Sequence, residues 1–176
     1  MAVRPVVLYP DPVLLGPTRR VGAVTEEIRT LVRDMVETMY AAPGVGLAAN
    51  QVGAPFRLLV VDLSLGEKPD DLRVLINPDV KAAEGSQFGD EGCLSFPDIT
   101  LEIERPLRVT VAALDLDGNP LEIEGEGLMA RALLHEIEHL DGETFLRNVS
   151  PLKRELVKRQ IRKRIKTGDW VATAEK

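Results

Sequence analysis

Two histidines stand four residues apart in the segment HEIEH, residues 135–139. Side chains at positions i and i+4 of a helix lie on one face, so His135 and His139 can bind one metal ion together. Glu136 lies about 100° around the helix axis from His135, where its carboxylate can act on a water molecule beside the metal. The segment predicts a metal-dependent hydrolase with Glu136 as general base. The alternative is a buried helix whose histidines only make hydrogen bonds.

The third metal ligand cannot be a histidine, because the chain has only these two. If there is a third protein ligand, it is the single cysteine, Cys93, or a carboxylate such as Glu155, and the residue types alone leave both open. Cys93 lies in GDEGCLSFP, which we expect to be loop-like. A lone cysteine is also often a small buried hydrophobic residue.

A glycine-rich segment, GVGLAANQ, occupies residues 44–51. Gly44 and Gly46 permit positive φ angles and a close approach of the main chain to a substrate. The alternative is a turn after the first helix that has no role in binding.

Length and composition favour one soluble domain covering residues 1–176. The hydrophobic fraction is 44% and the charged fraction 28%, both ordinary values, and no apolar run approaches the length of a membrane span. The N-terminus lacks the pattern of a signal peptide, and one cysteine excludes an intramolecular disulfide. We therefore expect a cytoplasmic protein without membrane contact.

Apolar periodicity predicts three helices. The first lies in TEEIRTLVRDMVETMYAAPG (25–44), where Thr25 can cap the start. The second carries HEIEH, beginning after Gly127 and ending at Gly142. The third covers roughly residues 151–166 and belongs to a basic C-terminal helix and tail, residues 151–176.

Strands are predicted at residues 56–63 and 72–80, with an exposed loop between them, and in a hairpin over 107–124. Helices and strands do not alternate regularly, which argues against a doubly wound sheet. The expected fold class is α+β, with mainly antiparallel β-sheets around the central HExxH helix.

The third predicted helix is strongly basic. Residues 152–166 carry eight Lys or Arg and one acid, a local charge of +7 in a chain of net charge −6. One interpretation is contact with ribosomal RNA, and the other is a solvated face that offsets an acidic body. The cations proposed for that contact are Lys153, Arg154, Lys158, Arg159 and Arg162. A partial apolar stripe is formed by Leu152, Leu156, Ile161 and Ile165.

Three segments in this order, GVGLAANQ, EGCLS (91–95) and HEIEH, resemble the peptide deformylase family. The resemblance spans about residues 5–147 and includes VVLYPDPVL (6–14), which is similar to the family's opening strand and turn. Three concordant motifs are far more specific than any one of them.

The resemblance implies that Cys93, His135 and His139 bind one divalent metal, natively Fe(II), with Zn, Ni or Co as substitutes. The implied substrates are nascent peptides that begin with N-formylmethionine, and the products are formate and a free amino terminus. Glu136 would take the proton of the attacking water and pass it to the leaving amine. The Gln51 side-chain amide and the Leu94 backbone N–H would stabilise the oxyanion.

The resemblance also implies substrate contacts. Gly46 would let an extended peptide lie alongside as an added strand, and Val45 would face the substrate near the metal. Leu128 and Ile137 would lie near the methionine pocket, although we expect Ile137 to be a core residue.

The chain departs from the family pattern at three positions. Glu138 replaces the usual Asp, Leu134 stands where Gln is common, and Phe96 replaces a smaller aliphatic residue. None removes a ligand or the base, but Glu138 puts the hydrogen bonds behind the ligands in doubt. We expect Arg105 to pair with Glu91 or Glu138 in the interior.

Two other functions compete with the deformylase interpretation. A zinc endopeptidase would use HEIEH with a downstream glutamate, but it leaves EGCLS unexplained. A non-enzymatic RNA-binding protein would use the basic helix and bind no metal.

Overall fold

The three predicted helices are confirmed in the computed structural model, which describes residues 2–173. Helix α1 covers Glu26–Ala41, and the Thr25 side chain accepts a hydrogen bond from the Ile28 N–H, the expected cap. Helix α2 covers Leu128–Leu140. Helix α3 covers Pro151–Thr167 and ends at Gly168, whose φ of 78° reverses the chain direction. Residues 174–176 of the predicted basic tail lie outside the described part.

The larger sheet has five antiparallel strands in the order β1-β2-β3-β6-β7. These strands are β1 (Gly46–Ala48), β2 (Leu58–Val61), β3 (Arg73–Glu84), β6 (Arg108–Leu114) and β7 (Pro120–Glu126). The predicted strands at 56–63 and 72–80 and the predicted hairpin are therefore present. The α+β fold with mainly antiparallel sheets is confirmed.

A second sheet corrects the sequence prediction around Cys93. Strand β4 (Gln87–Cys93) and strand β5 (Phe96–Arg105) form an antiparallel hairpin where we expected loop-like structure. Along β5 buried and exposed positions alternate, so one face packs inward. The β4 sequence, QFGDEGC, contains few apolar residues. It therefore lacks the apolar alternation from which a strand is predicted.

The opening segment is also not the expected strand. It forms only a 3₁₀ turn at Pro12–Leu14 and no strand. Its main chain instead connects the segment that follows β1 to the turn between β4 and β5. The Val7 N–H donates to the Gln51 carbonyl, and the Tyr9 N–H donates to the Ser95 carbonyl.

Helix α2 lies at the centre of the molecule. Leu133, Ile137 and Leu140 are buried against the larger sheet, as the apolar side of the HEIEH helix predicted. A second cluster packs α1 on β1 and β2. A third packs β5 against α3 and contains Phe96, which is fully buried.

Only Ile161 of the predicted apolar stripe on helix α3 is buried, and Val157 joins it in the contact. Val157 and Ile161, four residues apart, are its buried residues, whereas Leu152, Leu156 and Ile165 are exposed. Val157 and Ile161 face β5, and this contact decides which apolar residues of the helix are covered. In the described residues no helix is long and apolar enough to cross a membrane.

Candidate metal centre and active site

Cys93, His135 and His139 meet at one point. Cys93 is the last residue of β4, and the histidines lie one turn apart on α2. One possible ligand atom from each residue lies within 4.8 Å of the other two, and the Cys93 Sγ is 3.2 Å from the His139 Nε2. Among the described residues this group contains Cys93 and not Glu155, which is exposed on α3 with its carboxylate 3.8 Å from the Lys158 ammonium.

Glu91 connects this cluster to the protein interior. Its carboxylate accepts two hydrogen bonds from Arg105, at 2.8 and 2.9 Å, and one from Arg131, at 2.7 Å. The His135 Nδ1 lies 2.8 Å from the same carboxylate. Because Nδ1 donates to Glu91, the His135 Nε2 is left as the atom that can bind a metal.

Arg105 pairs with both expected partners, because its Nη1 also donates to Glu138. The longer Glu138 side chain reaches Arg105 and the Asn148 amide, so this departure from the family pattern leaves the buried arginine paired. Leu134 packs at the edge of the cluster between α2 and the sheet, and Phe96 fills the cluster beneath β5. The three departures are thus accommodated in the folded protein.

Burial and neighbouring charges shift the pKa values of the ionisable groups at the site. Burial opposes ionisation of Glu91, but hydrogen bonds from Arg105 and His135 outweigh it and lower the Glu91 pKa to about 2. Burial also lowers the pKa of His139 well below its usual value, with the charges of His135 and Arg105 acting in the same direction. His139 is therefore neutral at pH 7, the state in which an imidazole binds a metal.

The donor set fits a divalent metal. A thiolate and two imidazoles suit zinc or iron, and three protein ligands leave a coordination position open for a reactant. Both histidines are buried while Cys93 is half-buried, so the cluster can be reached from the cleft.

Glu136 lies beside this cluster with an unsatisfied oxygen. The residue is 6% exposed, and its Oε2 is buried without a hydrogen-bond partner among the described residues. Burial raises the Glu136 pKa to about 7, partly offset by the charge of His135. A carboxylate with this pKa can both accept and return a proton near neutral pH.

The glycine-rich segment makes room for these side chains. Neither Gly44 nor Gly46 has a positive φ, which corrects the sequence prediction, but both allow a close approach. A Cβ on Gly46 would lie 2.7 Å from the Glu136 Oε1, and one on Gly44 would lie 2.9 Å from the Leu94 Cδ1. Any side chain at residue 46 would therefore displace Glu136.

The Gln51 side chain is fixed at both ends. Its Oε1 accepts a hydrogen bond from the Ala48 N–H at 2.9 Å. Its Nε2 donates to the Ser95 Oγ at 3.1 Å and lies 3.7 Å from the Cys93 Sγ. The amide N–H groups are thereby held beside the cysteine, where an oxyanion donor would be needed.

These side chains open into one cleft of about 370 Å³. Its lining includes the predicted site residues Val45, Gly46, Gln51, Cys93, Leu94, His135 and Glu136. Leu128 lies at the start of α2, is 55% exposed and is not part of that lining. Its proposed place near the methionine pocket remains a prediction. Ile137 is a core residue, as expected.

Three polar residues that position the site have no signal among the sequence motifs discussed above. Ser95 holds the Gln51 amide, Arg131 neutralises Glu91, and the Asn50 amide donates to the His139 carbonyl. Arg131 could have been found, because it lies one turn before His135 and so shares its helix face. Ser95 and Asn50 act across chain separations that no local pattern encodes.

Comparison with known proteins shows the family of the chain. The family model for polypeptide deformylase matches residues 3–155. The chain belongs to the polypeptide deformylase family. It is 52% identical to a peptide deformylase of Acidobacterium capsulatum over 170 residues, covering 97% of this chain and 100% of that protein. It is 46% identical to a peptide deformylase of Acinetobacter baumannii, and the alignment covers 100% of this chain and 99% of that protein.

Solved deformylase structures have the same fold. A peptide deformylase from Legionella pneumophila superposes with a TM-score of 0.87 at 41% identity, covering 94% of this chain and 98% of that one. A peptide deformylase from Ehrlichia chaffeensis in complex with actinonin superposes with a TM-score of 0.85 at 38% identity. The superposition covers 93% of this chain and 98% of that one. The chain is accordingly an enzyme, a hydrolase of this family, and the non-enzymatic RNA-binding alternative is set aside.

Replacing Glu91 tests the charge network at the site. Glu91→Gln removes the carboxylate that compensates Arg131 and one of the two carboxylates that pair with Arg105. We expect the free energy of unfolding at pH 7 to fall by about 3 kcal/mol. The Glu91 pKa is lowered in the folded state, so its contribution is present above the ordinary value of 4.5 and is lost as the pH falls toward 2. The gap between wild type and variant should therefore shrink at pH 3.

The measurement is urea unfolding at pH 7 and pH 3, with metal removed by chelation so that its release at low pH does not contribute. Glu102→Gln is the matched control, because Glu102 is exposed on β5. An equal gap between wild type and Glu91→Gln at both pH values would contradict the assigned role of Glu91.

Proposed function

We propose that this chain, as one catalytic domain over residues 1–176, removes the formyl group from the N-terminal formylmethionine of nascent peptides and releases formate. The observation that carries the proposal is the cluster of Cys93, His135 and His139 beside the unsatisfied carboxylate oxygen of Glu136. Cys93, His135 and Glu136 line the cleft, and His139 lies buried behind them. Family membership supports the reaction class, and the side chains in and behind the cleft support the roles proposed below.

Cys93, His135 and His139 would hold the metal. When bound there, a divalent ion acts as a Lewis acid and lowers the pKa of a water molecule toward neutrality. We propose Fe(II) as the native ion, on the basis of the family resemblance, with Zn, Ni or Co as substitutes that the same donor set accepts.

Glu136 moves the protons of the reaction. It accepts a proton from the attacking water as the new C–O bond forms at the formyl carbon. It then gives that proton to the methionine nitrogen as the C–N bond breaks, so that formic acid and a free amine leave. The acid then loses its remaining proton to solvent and becomes formate. Burial raises the pKa of Glu136 above the ordinary carboxyl value, which favours its acceptance of a proton.

The oxyanion that forms between these steps needs hydrogen-bond donors aimed at it. The Gln51 Nε2 lies beside Cys93, and the Leu94 backbone N–H belongs to the turn between β4 and β5 that also lines the cleft. We propose that these two groups stabilise the oxyanion.

The substrate would lie along β1. This strand is at the edge of the larger sheet, with β2 on one side only. Val45 and Gly46 line the cleft, and an extended peptide can therefore add to this edge through main-chain hydrogen bonds. Leu128 is proposed to contact the methionine side chain from the start of α2.

Substituting Glu136 tests the proposal directly. Glu136→Gln keeps the size of the side chain but removes the base, so formate release from a short formyl-methionine peptide should fall by about 10²–10⁴. Metal content should be unchanged, because Glu136 is not one of the three ligands. Glu143→Gln, an exposed change just beyond α2, is the matched control. Near-normal formate release by metal-loaded Glu136→Gln would contradict the assignment.

We also propose that α3 contacts ribosomal RNA in the cytoplasm, where nascent chains emerge. Lys153, Arg159 and Arg162 are exposed, and Lys158 lies among them. Arg154 differs from the others because its guanidinium donates to the carbonyls of residues 146, 147 and 149, so its first role is to fix the start of α3.

Charge reversal tests this contact. Arg159→Glu with Arg162→Glu should weaken cosedimentation with ribosomes and lower the salt dependence of binding by about 2 in log–log slope, because two phosphate contacts are lost. Formate release from a short peptide should not change. The control reverses the same charge on α1, at Arg29 and Arg33. Equal weakening by both pairs would mean that only net charge matters and would contradict a contact through α3.

A further inference from the structure

The chain after α3 returns to the active cleft. Gly168 ends the helix, and Thr173 lines the cleft together with Cys93 and Glu136. We call residues 169–173 the tail. The family model matches only residues 3–155, so the tail lies outside the region that defines the family.

Trp170 anchors the tail to the wall of the cleft. Its Nε1 donates to the Tyr9 carbonyl at 2.7 Å. Its ring packs edge-on against Phe96, with 6.4 Å between ring centroids. Phe96 itself lines the cleft, so Trp170 ties the tail directly to a cleft residue.

Arg164 ties the tail to the same wall from the last turn of α3. Its Nη1 donates to the Pro97 carbonyl at 2.7 Å, and its Nη2 donates to the Asp169 carbonyl at 2.9 Å. Its guanidinium also lies 5.0 Å from the centre of the Trp170 ring. Pro97 lines the cleft, so one arginine links the start of the tail to the start of β5.

The end of the tail lies where the cleft adjoins a second cavity. This cavity, of about 260 Å³, is lined by residues that include Ala41, Ala42 and Ala172, and Ala172 is 6% exposed. Leu94 and Thr173 line both spaces. Thr173 is therefore part of the wall beside the turn that carries the proposed oxyanion donor, and it is not one of the groups proposed to act on the formyl carbon.

We propose that the tail is part of the peptide-binding cleft and holds the residues that follow formylmethionine. This inference rests on the proposed function. The formyl end of a substrate must lie at Cys93, His135 and Glu136, so the rest of the peptide runs along the remaining lining. Thr173 offers a hydroxyl and main-chain groups to that part of the peptide. The tail therefore sets the affinity for longer peptides and leaves the chemical step unchanged.

The test compares formyl-methionine amide with a formyl-methionine tetrapeptide as substrates. The first variant stops after Trp170, which removes residues 171–176 and keeps the anchor. The second, Trp170→Ala, keeps the tail but releases it. Both should raise KM for the tetrapeptide about fivefold, the size of one lost hydrogen bond. Neither should change kcat or the KM for the amide.

Lys166→Ala, an exposed change near the end of α3, is the control, and melting temperature and metal content report whether each variant folds. If Trp170→Ala does not fold stably, the comparison between wild type and the stop variant is the test of the inference. The inference would be overturned if the tetrapeptide KM were equal for wild type and the stop variant. It would also be overturned by a gain in tetrapeptide turnover, or by the same change in KM with both substrates. Absence of formate from metal-loaded wild type with either substrate would overturn the proposed function, and this inference with it.

Discussion

The site depends on one buried carboxylate. Glu91 lies between Arg105 and Arg131 and accepts the Nδ1–H of His135, so it pairs with two buried cations and orients one proposed metal ligand. Removing such a charge from the interior is costly because Arg131 would lose its carboxylate partner and Arg105 would keep only Glu138. Glu91 lies two residues before Cys93 on β4, so the same ion pairs also hold the thiol against α2.

The reactive groups reach each other because the backbone leaves room for them. Gly46 has no side chain where Glu136 needs space, and Gln51 is held by the Ala48 N–H and the Ser95 hydroxyl. The proposed metal ligands, base and side-chain oxyanion donor therefore come from α2, β4 and the segment after β1. Their geometry is fixed by packing before any substrate binds, which is the condition for electrostatic stabilisation of a transition state.

Much of this could be predicted from the sequence where the signal is local. The first helix has strong apolar periodicity and a capping residue, and HEIEH places two proposed ligands and a proposed base by helical spacing alone. The β4–β5 hairpin was missed because the β4 sequence is polar and rich in glycine. The docking stripe of α3, through Val157 and Ile161, and the return of Trp170 to Phe96 depend on contacts between distant segments, which periodicity does not report.

The central claim is that Cys93, His135 and His139 hold one metal in the cleft. X-ray absorption spectroscopy of the protein loaded with one equivalent of zinc tests it most directly. We predict one sulfur ligand at about 2.3 Å and nitrogen ligands at about 2.0–2.1 Å, with the sulfur signal absent in Cys93→Ser. A shell without sulfur in the wild type, or one that Cys93→Ser leaves unchanged, would contradict the account.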